Sequence, residues 1–294
     1  MKVLVFLFEW ISRIPLFVHY RVSDLLYFVN FYLVGYRKKV VRQNLENVFP
    51  HKSRKEINQI QKDFFRHFTD YLVETIRLRT ISRTELRVRV QHLNQELFHE
   101  AKAEGKNVIM LSGHVFNWEW ISALATIIPQ EHCHPVFRKI SNHFWDREIR
   151  KIRDRFGNES LEDKEVIKHI LSTPNDGNSA YMFVADQSPH HLQVDKGLWF
   201  LNQPTPVFIG YDKLATKKDL VFLYCDMKKV KRGYYQINYH RIQPDGEKFE
   251  PLEVVRKFHS LLEETIEKRP SNYLWSHRRW KYQKSIKSLF PKDN

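Results

Sequence analysis

Glycine is scarce in this chain, with nine in 294 residues. No two lie close enough for a G-x-G-x-x-G turn, a phosphate loop or a G-x-S-x-G nucleophile elbow, so dinucleotide-binding and serine-hydrolase chemistries fall away. Cysteine is scarcer. Cys133 and Cys225 make neither a disulfide framework nor a four-cysteine cluster, a pattern that fits a reducing compartment. His132-Cys133-His134 could point two imidazoles to one face of a strand, but the sequence advertises no third ligand, and neither a metal nor another cofactor is expected. Long apolar runs are missing too. Glu9, Arg13, Arg21 and Asp24 divide the first 36 residues into stretches shorter than the roughly 18 of a spanning helix, and no small-residue site follows a short apolar core as in a secretory signal. There is no repeat, low-complexity tract or Pro/Gly/Ser-rich linker, which leaves one domain as the simplest organisation.

What the chain does contain is apolar and basic. Hydrophobic residues make up 42%, enough for a sizeable core, and seven Trp and 21 Phe give an aromatic surplus. Forty-eight Lys and Arg against 34 Asp and Glu leave a charge of +14, suited to phosphates, an anionic bilayer or an acidic protein. Charge alone would also permit a non-catalytic basic protein that binds membrane or nucleic acid. Within residues 1–36, Trp10, Tyr20, Tyr27 and Tyr36 stand beside the basic group Arg37, Lys38, Lys39 and Arg42, the mixture of an interfacial helix. Residues 1–36 are therefore expected to be a membrane-associated arm on a domain spanning 37–294; the other reading is a buried helix pair.

Apolar periodicity predicts helices over 38–48 and 53–79, with Ser53 as N-cap, and over 92–104 up to Gly105. Residues 107–111 then read as a buried strand. Helix 116–127, strand 133–138, helices 142–156 and 163–171, strand 179–185, a helix near 205–216, strands 220–227 and 233–241 and a helix over 252–268 follow. The fold class expected is α/β, a mixed central sheet flanked by helices behind an N-terminal helical arm.

The segment Leu111-Ser-Gly-His114-Val-Phe-Asn117-Trp-Glu119 carries the chemistry. H-x-x-x-x-[DE] spacing identifies nothing by itself, since it recurs at seven other histidines. Only His114, however, leaves a buried strand through a glycine and enters a helix, the place where open α/β sheets put their ligands. There His114 can take the proton of an attacking hydroxyl, Glu119 can hold the ring and stabilise imidazolium, and N–H groups after Gly113 can meet an oxyanion. A capping histidine and a solvated glutamate remain the bland alternative.

Ser112-Gly-His-Val-Phe-Asn-Trp-Glu resembles the G-H-x-G-N-W-E block of the bacterial lipid A biosynthesis lauroyl/myristoyl acyltransferases. Ala185-Asp186-Gln187 resembles that family's strand-end D-Q, Trp199 to Thr205 its F-F-G-x-x-x-x-T, and Pro270 to Lys281 its P-E-Q-W-L-W-x-H-R-R-W-K tail. Tyr36-Arg37, Asn44-Leu45 and Phe49-Pro50 are similar to its Y-R and N-L-x-x-x-F-P region. The sequence departs from the pattern at Phe116 and Asn202, where the family has Gly, and at Ser271-Asn272.

The resemblance implies His114 and Glu119 as the catalytic pair, and Asn117, Arg138, Arg155, Asp186, Gln187 and Arg278 as substrate-binding residues. It implies transfer of a fatty acyl chain from acyl carrier protein or coenzyme A to a hydroxyl of a lipid A precursor or related membrane lipid, at the cytoplasmic face of the inner membrane, with no cofactor and no nucleic acid. A glycerolipid or aminolipid acyltransferase is the nearest alternative, although the E-G-T-R motif of glycerophosphate acyltransferases does not occur.

Overall fold

The computed structural model describes residues 2–189, 196–286 and 289–290, without the side chains of residues 2–4 and 7. Two helices open the chain, α1 (Lys2–Arg13) and α2 (Leu16–Phe28), the second widening into a π-helical turn at Val29–Val34. Helices α3 (Lys38–Val48) and α4 (Arg54–Leu78) follow. Ser53 caps α4 in a reciprocal box with Glu56, so the predicted start is the observed one. The short α5 (Arg83–Arg89) leads into β1 (Val90–Leu93), where a helix was expected to begin, and α6 is confined to Glu96–Ala103.

From there strands and helices alternate through β2 (Val108–Ser112), a 3-10 helix (Trp118–Thr126), β3 (His132–Phe137), α7 (His143–Asp154), β4 (Leu161–Glu162), α8 (Val166–Ser172) and β5 (Ser179–Val184). The hairpin β6 (Gly197–Phe200) and β7 (Gln203–Pro206), helix α9 (Gly210–Ala215), strands β8 (Val221–Lys231) and β9 (Tyr234–Ile242), and helices α10 (Glu253–Lys268) and α11 (Gln283–Ile286) complete the order. The seven-stranded sheet runs β1-β9-β8-β2-β5-β3-β4; only the β8–β9 pair is antiparallel, which makes it the mixed sheet expected. Strands β2 and β5 are almost wholly buried, so they read as continuous apolar runs rather than as alternation.

One register positions the site. Ser112 lies opposite Val184, so β2 and β5 end level, and the loops starting at Gly113 and Ala185 leave the sheet side by side.

The N-terminal helices have two unlike faces. One is fastened to the body by polar contacts: Ser23 donates to Asp70 at 2.7 Å, Tyr20 donates to Glu74 at 2.9 Å, and Arg232 bridges Asp24 and Asp70. The other exposes Trp10, Phe17, Leu25, Phe28, Leu33 and Val34, with Phe17 71% exposed although it is a large ring. No helix among the described residues is long and apolar enough to cross a membrane.

Glu74 is the centre of this attachment. Its side chain is fully buried and accepts hydrogen bonds from Tyr20 of α2, from Tyr235 of β9 and from Asn117 beyond β2. Burial pushes its carboxyl above the ordinary 4.5, and the donors offset this only in part. Folding thus favours the protonated form, so stability is lost as pH climbs from 4.5 through the raised value. Glu74→Gln, which can still accept from Asn117 and Tyr235, removes that slope. Urea midpoints between pH 5 and 8 should show the wild type losing stability relative to the variant as pH rises; parallel curves would refute a neutral-favouring site.

Candidate active site

His114 stands two residues beyond β2, and Asp186 two residues beyond β5. Oδ1 of Asp186 accepts from the His114 backbone N–H at 3.0 Å and lies 2.6 Å from Nδ1. On the far side of the ring, Nε2 is 2.9 Å from the Gln187 amide nitrogen. An amide N–H can only donate there, which makes Nε2 the acceptor and places the ring proton on Nδ1, toward Asp186. This is the tautomer a general base requires. Trp118 packs edge-on to the imidazole at 4.8 Å between centroids and stacks on Tyr71 at 4.2 Å.

Burial alone would raise the Asp186 carboxyl. The charge and hydrogen bond of His114, with the charge of buried Arg279 behind it, outweigh that and hold the group well below 3.8. Asp186 is thus an anion at any working pH.

Glu119, expected to hold the imidazole, makes no hydrogen bond to it here. Both Glu119 oxygens are taken by Arg153, from Nε at 2.9 Å and Nη2 at 2.6 Å. The pair is buried on the Glu119 side, 6% exposed against 22% for Arg153. Burial tends to raise this carboxyl, but Arg153 outweighs it and keeps Glu119 below its ordinary value. The cause is the local backbone. The residues after Gly113 do not form an α-helix; Phe116 adopts φ +50°, and a 3-10 helix begins only at Trp118, so Glu119 is turned toward α7.

The first three N–H groups after Gly113 are not free to meet an oxyanion. The N–H of His114 bonds Asp186, that of Val115 bonds the Gly113 carbonyl at 2.8 Å, and that of Phe116 bonds the Asn272 carbonyl at 2.9 Å. They are already used. Arg153, which sequence reasoning passed over among the charges of α7, lines the cleft beside His114.

That cleft holds about 270 Å³ and is lined by Phe137, Ile140, Phe183, Pro189 and Phe208, with His114 and Gln187 on one wall and Arg138 and Arg153 at its polar edge. Arg138 is exposed and pairs with Asp163 at 2.9 Å. Three of the expected binding residues lie elsewhere. Asn117 turns its amide to Glu74 at 2.7 Å, and Arg155 donates to the backbone carbonyls of Leu78 and Ile81, so both hold the body together rather than line the cleft. Of the adjacent arginines, the one beside Asp186 is buried Arg279, donating to the Pro206 carbonyl at 2.8 Å; Arg278 opens on a separate cleft. Distant from all of these, His134 lies 3.0 Å from the Glu159 carbonyl and stacks on His132 and Tyr181, away from the catalytic loop. Both cysteines are buried and free, and burial pushes the Cys133 thiol up to about 12, too high for a nucleophile.

The C-terminal segment locks the His114 loop from behind. Leu274 N–H donates to the His114 carbonyl at 3.0 Å, Val115 bridges Tyr273, and Asn44 of α3 donates to the carbonyls of Trp275 and His277 at 2.8 and 3.0 Å. Phe49 meets the buried Trp275 edge-on at 5.9 Å. The N-L-x-x-x-F-P and W-x-H-R-R-W blocks are therefore one structural unit. Asn44→Ala strands two carbonyls and should cost about 2 kcal/mol. A urea midpoint equal to the wild type would show that the tail is held by apolar packing alone.

Both departures from the family's glycines fall at left-handed backbone: Phe116 at φ +50°, and Asn202 at φ +61° in the β6–β7 turn. The family's glycine is free there. Asparagine tolerates the conformation, whereas Phe116 carries the strain and keeps its ring buried against Tyr235.

A base of fixed tautomer, held by a buried carboxylate at the mouth of an apolar cleft and with no nucleophilic side chain in the relay, suits direct acyl transfer, and the enzyme is an acyltransferase. Residues 3–282 match the family described as bacterial lipid A biosynthesis acyltransferase, and the chain belongs to that family. It is 24% identical to a lipid A biosynthesis acyltransferase of Haemophilus influenzae over 274 residues, covering 88% of this chain and 81% of that protein.

Proposed function

We propose that the enzyme moves a fatty acyl chain from an acyl thioester, carried by acyl carrier protein or coenzyme A, to a hydroxyl of a lipid A precursor or related lipid at the cytoplasmic face of the inner membrane. The Asp186–His114–Gln187 relay opening on an apolar cleft carries this reading. The acceptor hydroxyl displaces the Gln187 amide at Nε2, its oxygen attacks the thioester carbon, and His114 takes its proton. Asp186 stabilises the imidazolium, and Arg153 offers positive charge to the developing oxyanion. When the C–S bond breaks, His114 returns the proton to the departing thiolate, and no covalent enzyme intermediate forms.

The apolar face of α1 and α2 is the membrane contact. Its rings and aliphatic side chains are exposed, and the basic group at 37–42 borders them. Deletion of the arm would uncover Asp70 and Glu74, so point substitutions are the cleaner probe. Phe17→Ser with Leu25→Ser and Leu33→Ser should shift the protein from membrane to soluble fractions without lowering its melting temperature. Lipid mass spectrometry of cells with and without the gene names the acceptor and chain together; no lipid differing by one acyl group would remove the assignment. The net charge of +14 favours an acidic carrier protein as donor, so kcat/KM with acyl carrier protein should fall more steeply with salt than with acyl coenzyme A.

A further inference from the structure

A second cleft, of about 580 Å³, lies between the end of the arm and the C-terminal segment, walled by Tyr36, Arg37, Ser276, His277, Arg278 and Lys281. Among the described residues no carboxylate lines it and no ion pair joins Arg37, Arg278 or Lys281. This sets it apart from the larger cleft of about 670 Å³ beside the start of β8 and the end of β9. There Arg241 is held by Glu104 through two bonds, Lys106 meets Glu104 and Asp219, and Lys218 donates to two backbone carbonyls.

A further observation points to a ligand. Arg37 adopts φ +59°, a conformation glycine would take without strain, yet the position carries a long cation whose guanidinium faces no acid. The cleft is also firmly built, because Asn44 pins the carbonyls of Trp275 and His277.

Its location says what the anion belongs to. The wall residue Leu274 bonds the His114 backbone, so the cleft backs directly onto the catalytic loop. On its other side the exposed apolar residues Tyr32, Leu33 and Val34 run up to Tyr36, at the level where a bilayer would present headgroups. We propose that this cleft is a phosphate site that grips the phosphorylated headgroup of the lipid acceptor. The proposal rests on the lipid-acceptor reading above. Two guanidinium forks and an ammonium suit a phosphomonoester, with two negative charges and three free oxygens, better than a phosphodiester.

Vesicle binding by the full chain tests this without using turnover. Phosphatidylcholine vesicles containing about 10 mol % phosphatidic acid should bind about tenfold more tightly than vesicles of matched surface charge containing phosphatidylserine. The Arg37→Ser/Arg278→Ser/Lys281→Ser variant should lose that preference while keeping its binding to phosphatidylserine within about threefold. A charge-preserving Arg37→Lys/Arg278→Lys variant should lose part of it, since the forks are gone. Lys217→Ser/Lys248→Ser, in the distant cleft, should keep it and so report on bulk charge alone.

Preference surviving in the triple variant overturns the proposal. So does equal loss on every anionic vesicle, which would reduce the cleft to general electrostatics. Inorganic phosphate abolishing the preference at millimolar concentration would assign a free-ion site instead, and stronger competition by 4′-phosphopantetheine than by glycerol phosphate would assign the cleft to the donor. If the lipid analysis finds no acylated product but phosphatidate preference persists, the acceptor reading fails and the phosphate site stands.

Discussion

Asp186→Asn should lower kcat by about 10³-fold with little change in KM, because the imidazole keeps a neighbour of the same shape but loses the anion that fixes its tautomer and stabilises the imidazolium. The substitution also leaves the His114 backbone N–H facing a neutral amide. Circular dichroism and the melting temperature should show a folded protein. Glu119→Gln provides the comparison. It removes charge from Arg153 rather than from the ring, so its kinetic effect should be smaller than that of Asp186→Asn. The reverse order, with Asp186→Asn within about fivefold of wild type, would restore Glu119 as the direct partner of His114 and refute the relay. Acid stability gives an independent check. A carboxyl held below 3.8 in the fold stabilises the protein above that pH and loses the contribution as pH falls further, so the Asn variant should narrow its deficit toward wild type at the acid end.

Arg153→Met should be the most damaging single change to stability, at about 3–5 kcal/mol, because it leaves the Glu119 carboxylate buried without its counter-charge. Glu119→Gln should cost less. The freed Arg153 borders the cleft and can reach water there. The double variant should recover part of the loss, and a double-mutant cycle in urea should return a coupling of about 2 kcal/mol. The pH dependence has a definite sign. Glu119 lies below its ordinary 4.5, so the pair contributes fully above that value and fades as pH falls, and the penalty of Arg153→Met should shrink in acid. Strict additivity of the two substitutions would show the ion pair to be incidental. Turnover should fall as well, since Arg153 lines the cleft beside His114.

Much of this was legible in the chain because it is local. A buried strand ending in Ser112-Gly113 before His114, a capping Ser53 three residues ahead of Glu56, and apolar periodicity from 38 to 78 each need only neighbouring residues to be recognised. The alternation of strands and helices after residue 107 likewise gave a mixed α/β sheet. Less visible were the short elements, such as β1 and the β6–β7 hairpin, whose few residues are strands only because a neighbour is there to pair with. The long 3-10 helix after Asn117 was also hidden, since an apolar stretch of nine residues fits an α-helix equally well.

The sequence by itself singled out His114 as the candidate base, and showed a chain that is basic, rich in aromatics and poor in the glycines that nucleotide-binding or hydrolase sites need. Tertiary structure decided what that histidine touches. Asp186 is 72 residues away, and it meets the imidazole because Ser112 and Val184 share a register in two adjacent parallel strands. Glu119, five residues away, is carried off by the positive φ of Phe116 and the turn that follows, and Arg153 of α7 captures it. Spacing along a chain can suggest a partner only where the backbone between is regular. Around His114 it is not, and sheet register rather than sequence distance set the chemistry.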